Sequence, residues 1–532
     1  MINIISTITK ENKRSKIFAF AYSCIFSLCL SIGYSLNTKG SIISSFTNPL
    51  QILCFLCLFA ISFVVTLLIW SLLDKQKTLK NTKMLLKKPD ILVFFFFLLA
   101  YTAFLLSLYP GFFVYDATTV LHFYQRWELT TFHPIFHSLL LPAIVEGVYQ
   151  LTNSYNLGIA TWMFIQILVM SAIGTFLIYE LRRKKIPLYF RLLTILFLSC
   201  FPTIIMYVLC SASDSLFCMN MLLSSILLLS LFKEPDLFWS SKKRQIFLFI
   251  SLTLMFLLRK NGNYAFVVFV PFLIFTCRKK LPKILLLALL PIILSTGIIT
   301  FLETVTNAEK AGFAEAYSTP LQQLSRVYTS HKDELTDEEI NLYLQVQDDE
   351  RWMLYDPKIA DEIKEFADMH VVKQNLGDYV SLYTKLFFKY PLDYIDAFLM
   401  TTYEQWYPYS IYDCYHGGPY DDCCYFGYMV EEPGSKQPQW ERLDMVFEWL
   451  SVHSEPHKIP VLHLLLSPAF YLWIFLFSMT YSLRRKWYYN NLAMLFMFLV
   501  FLTVLLGPCA LVRYVAYLFF AAPLYLSMLF DM

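Results

Sequence analysis

Long apolar runs separated by short basic clusters dominate this chain, and the rhythm breaks once. Runs near the ~20 residues that a helix needs to cross the hydrocarbon core fall at 17–36, 50–73, 91–109, 157–180, 188–210, 214–232, 284–302, 459–482, 488–507 and 510–530. Two shorter ones, 245–258 and 263–276, need their flanks to reach that length. Between 303 and 458 the runs give way to polar sequence. There Thr336-Asp337-Glu338-Glu339 reads as a capping box, 359–372 has helical spacing, and 403–418, dense in Tyr, Trp and Gly, reads as loop. The pattern predicts an all-α polytopic membrane protein of about twelve transmembrane helices with a mostly helical domain outside the membrane. The expected boundaries are 1–89 for a first helix pair and its basic loop, 90–302 for a transmembrane core with an outer loop at 110–156, 303–458 for the acidic outer domain, and 459–532 for the last helices.

Composition sharpens this picture. Of 532 residues 57% are hydrophobic and 16% charged, against about 25% charged in soluble domains, so neither a soluble globule nor a disordered chain fits. Twelve Cys over this length are too dilute for a disulfide scaffold, although one disulfide among Cys414, Cys423 and Cys424 stays open. The net charge of +3 conceals a split: 303–458 holds 29 of the 40 Asp and Glu but 12 of the 43 Lys and Arg. The basic residues elsewhere sit in short clusters between apolar runs, which is no nucleic-acid surface.

Orientation follows from those clusters. Lys10, Lys13, Arg14 and Lys16 precede the first run. Further clusters are Lys75 to Lys88, Arg182 to Lys185, Lys242 to Arg244, Arg278 to Lys280, and Arg484 to Lys486. All of them fall in the cytoplasm if twelve helices cross a bacterial plasma membrane with both termini inside; 303–458 is then extracytoplasmic. The run 133–151 is apolar enough to cross, but crossing would carry Arg182–Lys185 outside, so it is expected to lie in the outer interface. The first run has no small-residue cleavage site and reads as an uncleaved anchor.

Charges at membrane depth default to function. Beyond the acidic segment, the acids not near the cytoplasmic side are Asp116, Glu128, Glu146 and Asp214. Asp116 follows Tyr109-Pro110-Gly111-Phe112-Phe113-Val114-Tyr115, a helix break in apolar surroundings that suit a general base; capping of the next helix is the structural alternative. His133-Pro134 and His137 share its loop. Two His at i and i+4 lie on one helix face and could hold a divalent metal, though no metal site is predicted. Asp214 stands at the outer start of a run. Arg259-Lys260 join two short runs outside, and Arg513-Tyr514 open the last. Such cations call for anions, and a lipid phosphate is the natural one.

In that order of marks the chain resembles the C-type (GT-C) glycosyltransferases, polytopic enzymes that use polyprenyl-phosphate sugar donors. It is similar to the protein mannosyltransferase and aminoarabinose transferase branch, and to a bacterial branch with a large outer domain late in the chain. The likeness covers roughly residues 90–530. Where the related branch often carries a second acid beside its loop Asp, Tyr115 and Ala117 flank Asp116 here, and the first two runs look additional to the usual core. The resemblance implies a donor tail between helices, Arg259, Lys260 or Arg513 on its phosphate, and Asp116 taking the proton of an acceptor hydroxyl. The acceptor would be a cell-envelope glycan or glycolipid, transfer would invert the anomeric carbon, and membrane lipids would surround the chain. Two other classes compete: a transporter or lipid flippase, for which internal repeats and midplane charges are expected but not seen, and an assembly protein of the cell envelope.

Overall fold

The computed structural model describes residues 12–75, 89–310, 317–415 and 420–530. Lys10, the basic loop residues Lys77, Lys80, Lys83, Lys87 and Lys88, and His416 to Gly418 of the aromatic loop lie outside them. Among the described residues eight helices are long and apolar enough to cross a membrane, and ten if each of two bent pairs counts as one. The chain is an all-α, multi-pass membrane protein. In order, α1 is Lys13–Lys39, α2 Pro49–Lys75, α3 Pro89–Ser107, α4 Ala117–Arg126, α5 Ile135–Thr152 and α6 Tyr155–Arg183. The bent pair α7 (Leu188–Cys200) and α8 (Pro202–Val208) follows, turned by 55° at Phe201-Pro202. Next come α9 (Ser213–Lys233), α10 (Lys242–Leu258), α11 (Lys260–Thr276) and α12 (Leu281–Thr306).

This count differs from twelve for a reason of length. Helices α10, α11 and Tyr488–Val504 have 17 residues each, about 26 Å at 1.5 Å per residue, short of the ~30 Å core. Helix α5, which the charge pattern places in the interface, is itself long and apolar enough to cross.

Packing follows residue size and polarity. The buried face of α1 is a file of small residues at every fourth position, Ser15, Ala19, Ser23, Ser27, Ser31 and Ser35, which lets neighbouring backbones come close. It packs on α2 and on α19 (Pro468–Arg484), which forms the second bent pair, turned by 68°, with α18 (Pro460–Leu466). Helix α9 is the hub, buried along nearly its whole length against α6, α10, α20 (Tyr488–Val504) and α21 (Tyr517–Ser527). Helix α2 is the opposite case: Leu50, Leu53, Leu56, Ile61 and Leu72 are exposed, an apolar surface that lipid would cover.

One end of the bundle gathers the basic clusters, and acids meet them there. Asp90 pairs with Arg182 at 2.6 Å, Glu180 with Arg183 at 2.6 Å and with Arg244, Glu234 with Lys184 at 2.7 Å and with Arg183, and Asp74 with Arg484 at 2.7 Å. The loop of Asp116 and the starts of α9 and of the last helix lie at the other end.

The acidic segment divides between two cores. Helices α13 (Ser318–His331), α14 (Asp337–Val346), α15 (Leu376–Lys389) and α16 (Pro391–Met400) enclose their own cluster around Tyr328, Tyr343, Trp352 and Leu386. The capping box at Thr336 forms as read. The stretch 359–372 is not one helix: Asp361–Lys364 and Met369–Gln374 are separate turns, because Asp368 caps the second through the N–H groups of His370 and Val371. Tyr412, Cys414, the stretch from Cys423 to Tyr428 and α17 (Glu441–Val452) join the core of the membrane helices instead. All described cysteines are free thiols, including Cys414, Cys423 and Cys424.

His457 ends this segment. Its ring is buried, 4.9 Å from Tyr425, and Nε2 donates to the Leu450 carbonyl at 3.0 Å. Burial pushes its pKa down from 6.5 to about 4. Below pH 6.5 the unfolded chain therefore binds a proton that the fold refuses, so stability falls as pH drops from about 6.5 to about 4, by at most roughly 3 kcal/mol. Melting of the purified protein at pH 7 and pH 5 should show this loss, and His457→Gln should flatten it; an equal slope in both proteins would contradict the assignment.

Candidate active site

The strand-like segment that follows α3 is locked before it reaches Asp116. The Phe112 N–H donates to Leu209 (2.7 Å) and Ser211 N–H donates to Phe112 (2.9 Å). The Ser211 hydroxyl then accepts from Val114 N–H at 2.9 Å and donates to the Val114 carbonyl at 2.8 Å. Gly111, at φ +94°, makes the entry turn. The next two residues, Tyr115 (φ 62°) and Asp116 (φ 64°), both adopt the left-handed conformation. That is rare for a bulky side chain and costs about 1–3 kcal/mol at each such residue. Surrounding contacts hold it. The Tyr115 hydroxyl accepts from Gly427 N–H at 2.9 Å, and Glu431 N–H donates to Phe113 at 2.7 Å.

Asp116 precedes α4, but its side chain does not cap it. The cap comes from far along the chain: a Glu431 carboxylate oxygen accepts from Thr118 N–H at 2.8 Å. Asp116 is thereby exposed and freed of the structural role that its position suggested. Glu431, largely buried, has its pKa raised by burial, and the Asp116 charge pushes the same way; the Thr118 N–H opposes both. A second acid thus stands beside Asp116 in space although its sequence neighbours are Tyr115 and Ala117.

Three cationic or polar groups close on this loop. The Arg513 guanidinium lies over the Tyr115 ring at 4.7 Å and the Tyr514 ring at 5.2 Å. Arg259 lies over the other side of the cluster, 4.8 Å from the Tyr514 ring and 5.8 Å from Phe217, with its charge paired to Asp214. Arg513 has no carboxylate within ion-pair distance among the described residues, and its Nε is buried without a hydrogen-bond partner. His133, just ahead of α5, has its pKa lowered by burial; the Asp116 charge raises it and the Arg513 charge lowers it, so all three groups share one electrostatic neighbourhood. The loop before His133 is fixed by Glu309, which exchanges backbone hydrogen bonds with Leu129 and Thr131 at 2.8 Å each.

The remaining expected residues sit at the margin. His137 is buried against Trp162, ring centroids 5.6 Å apart, and its Nε2 has no hydrogen-bond partner. Lys260, the first residue of α11, is exposed and forms no ion pair among the described residues. Tyr420 and Tyr415 of the acidic segment, stacked at 6.1 Å, stand near Arg513 and Tyr514. Burial raises the Tyr420 pKa, the neighbouring Tyr115 hydroxyl adds to this, and Arg513 lowers it. The described residues hold one three-ligand group spaced for a metal, Asp421, Asp422 and His453, in which both acids are exposed; it is not part of this cluster, where Asp116 and Glu431 offer two carboxylates.

Sequence reading missed Glu431 and Tyr420. One acid among the 29 of an acidic segment carries no mark of its own. The only hint is the Glu431-Glu432-Pro433-Gly434 turn, a break much like the one ahead of Asp116.

A family model described as "Family of unknown function (DUF6020)" matches residues 120–530. The chain belongs to the DUF6020 family. The matched part contains His133, Asp214, Arg259, Glu431 and Arg513, and Asp116 lies four residues before it. No curated protein and no solved structure matches the chain.

If Glu431 supplies the cap of α4, Glu431→Ala leaves the Thr118 N–H unpaired and should lower stability by about 0.5–2 kcal/mol, whereas Glu431→Gln, which keeps an acceptor oxygen, should lose less. Thermal unfolding of the three proteins in one detergent checks this; equal losses in both variants would remove the cap.

Proposed function

We propose that this chain is an integral membrane glycosyltransferase of the C-type. It would move a sugar from a polyprenyl-phosphate donor to a cell-envelope glycan or glycolipid on the outer face of a bacterial plasma membrane. In this reading both termini are cytoplasmic and the acidic segment is outside. The carrying observation is an exposed, non-capping Asp116 one residue from a ring on which an unpaired guanidinium, Arg513, rests. A base and a phosphate site side by side are what single displacement at an anomeric carbon needs.

The steps balance without a covalent intermediate. Asp116 accepts the proton of an acceptor hydroxyl as that oxygen bonds to the anomeric carbon. The bond from that carbon to the phosphate oxygen breaks, and the phosphate leaves with the electron pair. Arg513 stabilises the departing charge, since bidentate contact to phosphate is the strength of a guanidinium. Asp214 already neutralises Arg259, which makes Arg259 the residue that fixes Tyr514 under Arg513 and not the main anion ligand. Glu431 sets the strained geometry of Asp116, and the Tyr415–Tyr420 pair offers ring faces to a sugar. Pairing of Asp116 with a second carboxylate from the outer segment is the feature that this fold would add to the resemblance.

Two outcomes are expected with purified protein, a polyprenyl-phosphate sugar and envelope lipids. Asp116→Asn should lower transfer by about 10²–10⁴-fold while donor binding persists; wild-type transfer rates in this variant would end the base assignment. Arg513→Ala should weaken donor binding by the ~1.5–3 kcal/mol of a charged hydrogen bond, and more than Arg259→Ala does. Movement of the lipid between leaflets with no sugar transferred would favour the flippase instead.

A further inference from the structure

The outer segment holds a cavity of about 180 Å³, apart from the site above and lined almost wholly by apolar atoms. Leu321 and Leu324 of α13, Tyr343 of α14, Trp352, and Tyr379 and Leu382 of α15 form its inner walls. For comparison, an apolar cavity of about 150 Å³ stays dry and takes up benzene. Such a space has no use for water and accepts hydrocarbon.

Its mouth lies on a face that nothing among the described residues covers. Helix α15 turns Tyr379, Leu382 and Leu386 into the domain core. A second apolar stripe, Leu376, Val380 and Phe387, is exposed and lies along one side of the helix at spacings of four and seven. Leu376 and Val380 also line the cavity, so stripe and cavity are continuous. Near the end of α15 Phe388 is 76% exposed, and Leu392 and Ile395 of α16 are exposed as well. The third arc of α15 carries Asp378, Ser381, Lys385 and Lys389.

What lies against this stripe is indicated by the helices beside it. Asp396 of α16 accepts from the Ile42 N–H at 2.9 Å, and Arg326 of α13 donates to the Gly40 carbonyl at 3.2 Å. Both contacts fall on the turn that ends α1 and leads to α2. Helices α13 and α16 are thereby tied to the turn between two membrane-spanning helices, where Ile43 and Phe46 are exposed too. Apolar side chains stand exposed on that turn, on α16 and on α15.

We propose that this face rests in the outer leaflet and that the hydrocarbon chain of a membrane lipid enters the cavity between α13 and α15. The outer segment is then a lipid-chain receptor at the membrane surface, and its polar arc stays in the headgroup layer.

The test uses the full-length protein in vesicles of phosphatidylcholine that carries a photoreactive diazirine at the end of one acyl chain. Illumination and peptide mapping should place adducts on Leu376 and Val380, and within the cavity on Leu324 or Tyr343. Filling the cavity with Leu324→Phe, or with Val346→Leu should the first variant fail to fold, should reduce the inner adducts about tenfold while those on α2 stay constant. Adducts confined to the spanning helices would overturn the proposal. Adducts on the stripe that persist unchanged in a folded, cavity-filled variant would overturn it too, as would cross-links joining the α15 faces of two copies in place of lipid.

Discussion

A charge out of water must find a counter-charge or a use, and this constraint organises the molecule from end to end. At the basic end Asp74, Asp90, Glu180 and Glu234 each meet an arginine or lysine, and the pairs tie helix to helix where the loops are short. At the opposite end the accounting is left open. Asp214 answers Arg259, but no carboxylate among the described residues stands within ion-pair distance of Arg513, which rests on aromatic faces. An anion bound there would complete the pattern, and this is the ground on which a phosphate-bearing lipid is proposed as substrate.

The strained pair Tyr115–Asp116 belongs to the same economy. Two successive left-handed residues persist only where neighbours over-determine them. Here the neighbours come from two distant parts of the chain: Ser211 clamps Val114, while in the segment 427–431 Gly427 holds the Tyr115 hydroxyl and Glu431 caps α4. The acidic segment is therefore part of the scaffold of the site as well as its roof. Loss of its grip would let Asp116 relax into the ordinary capping role that local sequence offers it. Residues 317–400 have a different task. They form a small core of their own, anchored to the end of α1, with an apolar flank turned outward.

Much of this architecture is written in the hydrophobic pattern. A bilayer demands apolar length, so spans declare themselves, and the capping box at Thr336 is a local signal with a local outcome. Helix ends are less legible. The break at Phe201-Pro202 and the separate turns within 359–372 arise where a proline or a capping Asp competes with apolar spacing, and spacing alone does not rank such competitors.

The sequence by itself determined that this is a multi-pass helical protein with charge segregated between its ends, and it singled out Asp116, His133, Asp214, Arg259 and Arg513, because few charged residues are tolerated near a membrane and each stands out. Only the tertiary structure decided which of them meet. It assigned Asp214 to Arg259, left Arg513 over Tyr115, and brought Glu431 to α4 across 313 residues. Such pairings depend on how helices with no periodic mark of their partners pack in three dimensions, whereas the cost of burying a charge is set residue by residue and can be read along the chain.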